Sequence, residues 1–255
     1  MDQKYKETPM IKFLKNEEKH FRIFPADESQ LRSNYFSYWN IESIGGYRPI
    51  KLRNYQDLMD ARGFYNPKVL DMLNVKYVLT KRKIENSSFS KIENIPGLFH
   101  NNNALPRAWL VGSIKSVDSQ RESLMEVLLS TFDPKKQAVV VDYTGPDLPQ
   151  FINGDVSIDV ITENKIELSS LSKTAGLLVL SEIYYKPGWK AKVNGVEVPI
   201  YQTNHVLRSV HVPAGTSKVV FEYDTTSWKR TRILSRLSFF FILIVLGGIF
   251  WKQRD

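Results

Sequence analysis

The sequence predicts a β-rich α+β protein: an N-terminal mixed α/β part, a C-terminal β-sandwich or jelly-roll-like domain, and one C-terminal transmembrane helix. Three observations carry that prediction. Beyond residue 136 the chain becomes a series of short runs that alternate apolar and polar residues between turn residues, the pattern of antiparallel strands with one buried face. The pair Asn194-Gly195 stands between two such runs, and it is the pair that tolerates the positive φ angles of a tight hairpin turn. Near the C-terminus, residues 237–251 (LSFFFILIVLGGIFW) carry no charge.

Residues 1–115 form the mixed α+β part. Within it, residues 20–24 read as a strand and 44–49 as a turn-rich loop. Residues 55–62 read as a helix stopped by Gly63, and 69–74 as a short helix leading into a strand at 75–80. A polar loop spans 81–91, and strands at 98–100 and 107–111 are joined by the polar turn of Asn101, Asn102 and Asn103. A connecting amphipathic helix falls in 116–135. Ser119 and Glu122 make a capping box for it, Leu124, Val127, Leu128 and Thr131 share one face, and Pro134 ends it. The antiparallel β-sandwich, 136–226, contains strands at 138–143, 155–162, 165–170, 176–185, 189–193, 196–201, 206–212 and 218–223. In its Asn194-Gly195 hairpin Trp189, Ala191, Val193, Val196, Val198 and Ile200 face one side, and Lys190, Lys192 and Glu197 the other.

The membrane helix is expected at 233–251, followed by a short tail at 252–255. Fifteen uncharged residues reach about 22 Å, and the extension to Ile233 brings this to about 28 Å, against a hydrocarbon core of roughly 30 Å. Arg236 then lies one turn inside and snorkels outward; Trp228, Arg232, Arg236 and Trp251 are the expected interfacial residues, and the lipid bilayer the expected partner. The net charge of +8 comes from 35 Lys and Arg against 27 Asp and Glu, scattered except for Lys229, Arg230, Arg232 and Arg236. That cluster suits anionic headgroups, and the absence of any comparable basic helix or loop excludes nucleic acid as a partner. With no cysteine there are no disulfides, thiolate metal sites or Cys nucleophiles. The N-terminal 21 residues lack the apolar core of a secretory signal, so either the bulk is cytosolic and held by a tail anchor, or Met1 is not where the membrane protein begins.

Catalytic signatures are missing from the pattern of residues. Gly45-Gly46 and Gly247-Gly248 lack the spacing and the Lys of a phosphate loop, and no nucleophile elbow occurs. His205 and His211 have no third ligand near them, so no metal and no cofactor is expected. Aromatic residues near the hairpin are more suggestive. Tyr184, Tyr185 and Trp189 could stack on sugar faces while Arg208 holds hydroxyls or phosphates; the competing reading buries Trp189 and Tyr185 in the sandwich core.

From Leu178 to Gly195 the chain contains Ser181-Glu182-Ile183-Tyr184-Tyr185-Lys186-Pro187-Gly188-Trp189 and then the Asn-Gly turn. Val212-Pro213-Ala214-Gly215 and Val220-Phe221-Glu222-Tyr223 follow. In these motifs the chain resembles the C-terminal region of the YfhO family of bacterial polytopic membrane proteins, and Phe21-Arg22-Ile23-Phe24, Gly46-Tyr47, Leu73 to Leu79 and Ala104-Leu105-Pro106-Arg107 extend the resemblance upstream. Members are similar to C-type glycosyltransferases, which use polyprenyl-phosphate sugars outside the cytoplasmic membrane. The resemblance implies a single-pass chain in that membrane with its bulk outside, assisting transfer of sugar from such a donor to a cell-envelope glycan. It implies as partners the donor or glycan and the upstream membrane helices of the same or an adjacent chain. The acidic catalytic residue of such transferases lies in an early loop between membrane helices, and nothing here matches it, so no catalytic residue carries over. Four basic residues before the helix and two after it would by themselves place the bulk in the cytosol. The alternative function is a non-enzymatic tail-anchored or envelope structural or interaction domain.

Overall fold

The computed structural model describes residues 6–17, 20–150 and 152–252, with side chains through Leu246 and at Ile249. Helix α1 (Pro9–Asn16) is capped by Thr8, whose hydroxyl accepts from the Ile11 amide at 3.3 Å. After it come β1 (Arg22–Pro25), α2 (Glu28–Leu31), α3 (Arg53–Asp60), α4 (Pro67–Met72), β2 (Val75–Leu79), β3 (Phe89–Lys91) and β4 (Leu98–Asn101). The four strands form a sheet in the order β1-β2-β4-β3, with β1 and β2 parallel and the other pairs antiparallel. Both faces of this sheet are covered. Ile23, Tyr77, Leu79 and Leu98 pack with Ile11, Leu14 and Phe36, while Phe24 and Val78 join Leu58, Leu70 and Met72 of the helical side.

The remaining elements are β5 (Ala108–Val111), β6 (Ser113–Val117), α5 (Gln120–Leu128), β7 (Gln137–Val141), β8 (Gly154–Ile161), β9 (Lys165–Ser172) and β10 (Gly176–Ile183). They continue as β11 (Trp189–Val193), β12 (Val196–Val198), β13 (Tyr201–Thr203), β14 (Leu207–Val212), β15 (Gly215–Tyr223) and α6 (Thr226–Lys252). A six-stranded sheet runs β5-β10-β14-β13-β7-β6 and a five-stranded sheet β12-β11-β15-β9-β8. These two sheets enclose one core, in which Leu178, Leu180, Val210 and Val212 meet Ile166, Leu168, Ala191, Val193, Val219 and Phe221. On its other face the six-stranded sheet packs Val111, Leu177, Val179 and Leu207 against the α3, α4 and α5 side. A sheet with both faces buried needs apolar residues at every position, which is why β10 reads Gly-Leu-Leu-Val-Leu with no alternation.

Local chemistry explains where elements stop. The Asn194-Gly195 turn has φ of 52° and 85°, and Ala191 and Val193 point inward while Lys190 and Lys192 point out. Val196, expected on the inner face, is exposed because β12 lasts only three residues. Pro199 follows that strand, and beyond it the chain leaves the five-stranded sheet to form β13 in the six-stranded one. Helix α5 is shorter than the predicted segment: Val117 ends β6, which lies parallel to β7, and Ser119 caps the helix by accepting from the Glu122 amide at 3.1 Å. Strand β3 lies at the end of the segment expected to be a polar loop.

The C-terminal helix requires a correction. Among the described residues no helix is long and apolar enough to cross a membrane, so the transmembrane segment expected at 233–251, and with it single-pass anchoring, is not upheld. Helix α6 begins at Thr226, and its first three turns carry Lys229, Arg230, Arg232 and Arg236. The uncharged described side chains start only at Leu237 and run to Leu246, about 15 Å of helix. Those side chains are nonetheless exposed; Phe241 and Ile244 are 67% and 72% accessible.

Candidate functional site

A cleft of about 360 Å³ opens where the three sheets meet, lined by His20, Glu42, Arg107, Ile161, Thr162, Glu163, Ile166, Glu182, Trp189 and Arg208. The five- and six-stranded sheets contribute to it through strand ends, and the N-terminal part through His20 and Glu42, which flank β1. Arg22 starts β1, and Glu42 sits beside it because the Ile23 amide donates to the Glu42 carbonyl at 2.9 Å. Arg107 immediately precedes β5, and Trp189 starts β11. Glu182 and Arg208 come from the β10–β14 pair, where the register jumps: Leu180 faces Arg208, but Ile183 faces Leu207. Ser181 and Glu182 thus form a bulge, and a bulge re-aims side chains that a regular ladder would send elsewhere. The Ser181 amide donates to the Arg107 carbonyl at 2.8 Å and its hydroxyl to the Met72 carbonyl at 2.9 Å, fastening the bulge to the N-terminal part.

The charged groups form one network. Glu182 Oε1 accepts from Arg22 Nη2 at 3.1 Å and from Arg107 Nε at 2.8 Å, and Arg107 Nη2 lies 2.7 Å away. Arg107 Nη2 also donates to Glu42 Oε2 at 2.7 Å, and Arg107 Nη1 to Asn74 Oδ1 at 3.3 Å. Arg22 Nη1 donates to the Leu73 carbonyl and to Ser181 Oγ. Burial pushes the Glu182 carboxyl up, but Arg22, Arg107 and Arg208 together hold it below its ordinary value. Burial lowers Arg208, partly offset by Glu182, to about 10, still charged at neutral pH.

Arg208 differs from its neighbours. It is 5% accessible, and its guanidinium carbon lies 4.2 Å from the centre of the Trp189 ring. Nη2 donates to the Ile183 carbonyl at 2.9 Å, while Nε and Nη1 have no hydrogen-bond partner among the described residues. Leaving buried donors unmade costs on the order of 1–3 kcal/mol each, more on a charged group. Both atoms have almost no accessible surface of their own, so the deficit lies inside the cleft wall and not at its mouth.

Of the sequence-predicted residues, the structure brings Trp189 and Arg208 together in this cleft. Trp189 is half-buried, edge-on to Tyr223 at 5.6 Å between ring centres. Tyr184 and Tyr185 lie outside the cleft lining; Tyr184 donates its amide to the Val206 carbonyl, and Tyr185 is exposed. Trp228, Arg232 and Arg236 lie on α6, where the Arg232 guanidinium covers the Trp228 ring at 4.4 Å. The side chain of Trp251 falls outside those described. Arg22, Glu42, Arg107 and Glu182 were not found from sequence. The available signal was a lone charge within an apolar strand, Arg22 between Phe21 and Ile23 or Glu182 after Leu177 to Leu180, since a buried charge needs a partner. Among the described residues no group of three or more His, Asp or Glu is placed to hold a metal ion.

No curated protein and no solved structure matches the chain. Residues 150–235, which run from before β8 into α6 and include Glu182, Trp189 and Arg208, match the family model of the bacterial membrane protein YfhO, consistent with a C-terminal region of that family.

Proposed function

We propose that this chain works at the outer face of the cytoplasmic membrane, where it holds a sugar chain for transfer from a polyprenyl-phosphate donor to a cell-envelope glycan. One observation carries the reading: an aromatic ring, Trp189, and a buried guanidinium with unmade hydrogen bonds, Arg208, share one wall of an open cleft. Sugars are bound by such pairs, with the apolar ring face against C–H groups and charged donors against oxygens. The family match supports a membrane setting and a glycosyltransferase-like context. The role assigned to these residues is holding and orienting; the bond-making groups belong to another part of the machinery.

Titration of the full chain with a polyprenyl-phosphate-linked sugar and with envelope oligosaccharides tests this. Saturable binding that Trp189→Ala abolishes, in a variant that still unfolds cooperatively, is the expected result. A chain that binds none of these ligands ends the reading. A reporter active only outside the cytoplasm, inserted at the Ser87-Ser88 loop, checks the side of the membrane; activity only of the inside reporter would refute the placement.

A further inference from the structure

We propose that the segment Tyr47 to Arg53, which leads into α3, is a lipid-surface contact: Tyr47, Ile50 and Leu52 enter the interface of an anionic bilayer while Arg48 and Lys51 meet its headgroup phosphates. The proposal stands apart from the glycan reading and from α6. The segment reads Tyr-Arg-Pro-Ile-Lys-Leu-Arg, and all seven residues are exposed. Ile50 is 87% accessible, and with Tyr47 and Leu52 also exposed none of the three gives the fold the stabilisation that full burial of an apolar side chain brings. Single exposed apolar residues are ordinary on a protein surface; three in seven positions, each next to a basic residue, form a patch.

The charge pattern adds to this. No Asp or Glu occurs from Ser43 to Gln56. Arg53 pairs with Asp57 at 2.8 Å, whereas Arg48 and Lys51 form no ion pair with a described carboxylate, which leaves two unbalanced positive charges on the segment. The segment is also held at both ends. A Cβ on Gly45 would meet the Leu31 carbonyl oxygen at 2.4 Å, so only glycine lets the chain pass there, and the Gly46 amide donates to that carbonyl at 2.7 Å. Asn34 then grips Tyr47 as a neighbouring strand would: the Tyr47 amide donates to Asn34 Oδ1 at 2.8 Å, and Asn34 Nδ2 donates to the Tyr47 carbonyl at 3.1 Å. At the other end the Leu52 carbonyl accepts from the Gln56 amide at 3.0 Å. Fixed ends reduce the ordering that docking would cost.

A lipid surface uses both halves of the pattern. A soluble polyanion would engage Arg48 and Lys51 but leave Ile50 in water, and an apolar protein groove would take Ile50 but strand the two charges. At a bilayer interface Ile50 and Leu52 reach the acyl boundary, the Tyr47 ring sits at headgroup level, and the basic side chains reach phosphate.

The chain has no cysteine, so Ile50→Cys gives the full chain one attachment point for an environment-sensitive fluorophore. The labelled chain is titrated with vesicles of phosphatidylcholine alone and of phosphatidylcholine mixed equally with phosphatidylglycerol. On the mixed vesicles the emission should shift to the blue, and the label should become protected from iodide and open to a quencher carried by the lipid. With Arg48→Gln and Lys51→Gln together, about 30-fold more lipid should be needed for the same shift, about five-fold per charge. Urea denaturation checks that the substituted chain is folded, which exposed positions should leave unchanged. A label that stays open to iodide on vesicle-bound chain overturns the proposal, because α6 would then hold the membrane alone. An equal shift on neutral vesicles overturns the role of Arg48 and Lys51. The same shift with soluble polyphosphate and no lipid overturns the bilayer in favour of a polyanion, and a shift that grows with protein concentration alone assigns the segment to a second copy of the chain. None of these outcomes depends on whether the cleft binds a sugar.

Discussion

Replacing Glu182 with Gln tests the central claim about the network, that one carboxylate holds two buried guanidiniums in place. Its side chain is 21% accessible and that of Arg107 only 5%. The amide keeps the shape and one acceptor oxygen but removes the charge that offsets Arg22 and Arg107. Breaking a buried pair by neutralising one partner costs about 3–5 kcal/mol in well-buried cases. Partial exposure of Glu182, and the second carboxylate at Glu42, bring the expected loss to about 3 kcal/mol. For a chain of this size that is a fall in Tm of about 6–12 °C. Urea denaturation followed by circular dichroism gives the loss directly. Its pH dependence supplies a second check. The folded carboxyl lies below its ordinary value of 4.5, so its contribution is fully present above that pH and vanishes as pH drops through the lower, folded value. The gap between wild type and Glu182→Gln should therefore be constant from pH 5 to 8 and close in acid. A loss below about 1 kcal/mol, or a gap that does not close in acid, would refute the reasoning.

Further outcomes are expected elsewhere. Asp71 is raised to about 6 by burial, against a hydrogen bond from Asn101 that lowers it, so its ionisation opposes folding as pH rises from 3.8 toward 6. Asp71→Asn should thus gain about 2–3 kcal/mol on wild type over that interval; a pH-independent difference would contradict the burial. Trp189→Ala should cost about 1–2 kcal/mol in urea denaturation, the worth of a partly buried cation–π stack with some packing, and a cost above 3 would show a true core residue. Gly188→Ala should be costlier than Gly195→Ala in the same assay. Both have positive φ, but a Cβ at Gly188 would meet the Tyr223 ring at 2.7 Å, whereas nothing lies within 4 Å at Gly195. The second should lose about 1 kcal/mol. Arg232→Ser with Arg236→Ser should weaken binding of the full chain to anionic phospholipid vesicles about 30-fold, at about 1 kcal/mol per charge, and leave binding to zwitterionic vesicles unchanged.

Strand positions after residue 137 were readable because alternation and turn chemistry are local. The hairpin at Asn194-Gly195 pairs Val193 with Val196 as its sequence demands. What sequence could not supply was pairing at a distance. Strand β6 carries Lys115 and Ser116 outward and looks like a loop; only its parallel alignment with β7 makes it a strand. Trp189 and Arg208 were singled out as aromatic and basic neighbours of the hairpin, yet their stacking depends on the packing of two sheets: Arg208 shares the inner face of one with Val210 and Val212, and Trp189 that of the other with Ala191 and Val193. The apolar run of α6 was also extended back to Ile233 across Arg236, a charge the helix retains in its opening turns.

The bulge at Ser181 and Glu182 has a consequence for how the protein matures. Arg22 and Glu182 are 160 residues apart, so the cleft closes only after the first strand and the tenth have both found their sheets. Loop closure over that distance is slow compared with forming the local hairpins. The sandwich, Trp189 and Arg208 included, can therefore acquire its strands while Glu182 still waits for its arginines, which makes the junction with the N-terminal part the late contact. A nascent or damaged chain that has its sheets but not this junction would carry Glu182 without Arg22, and so a charge in the bulge short of one of its partners.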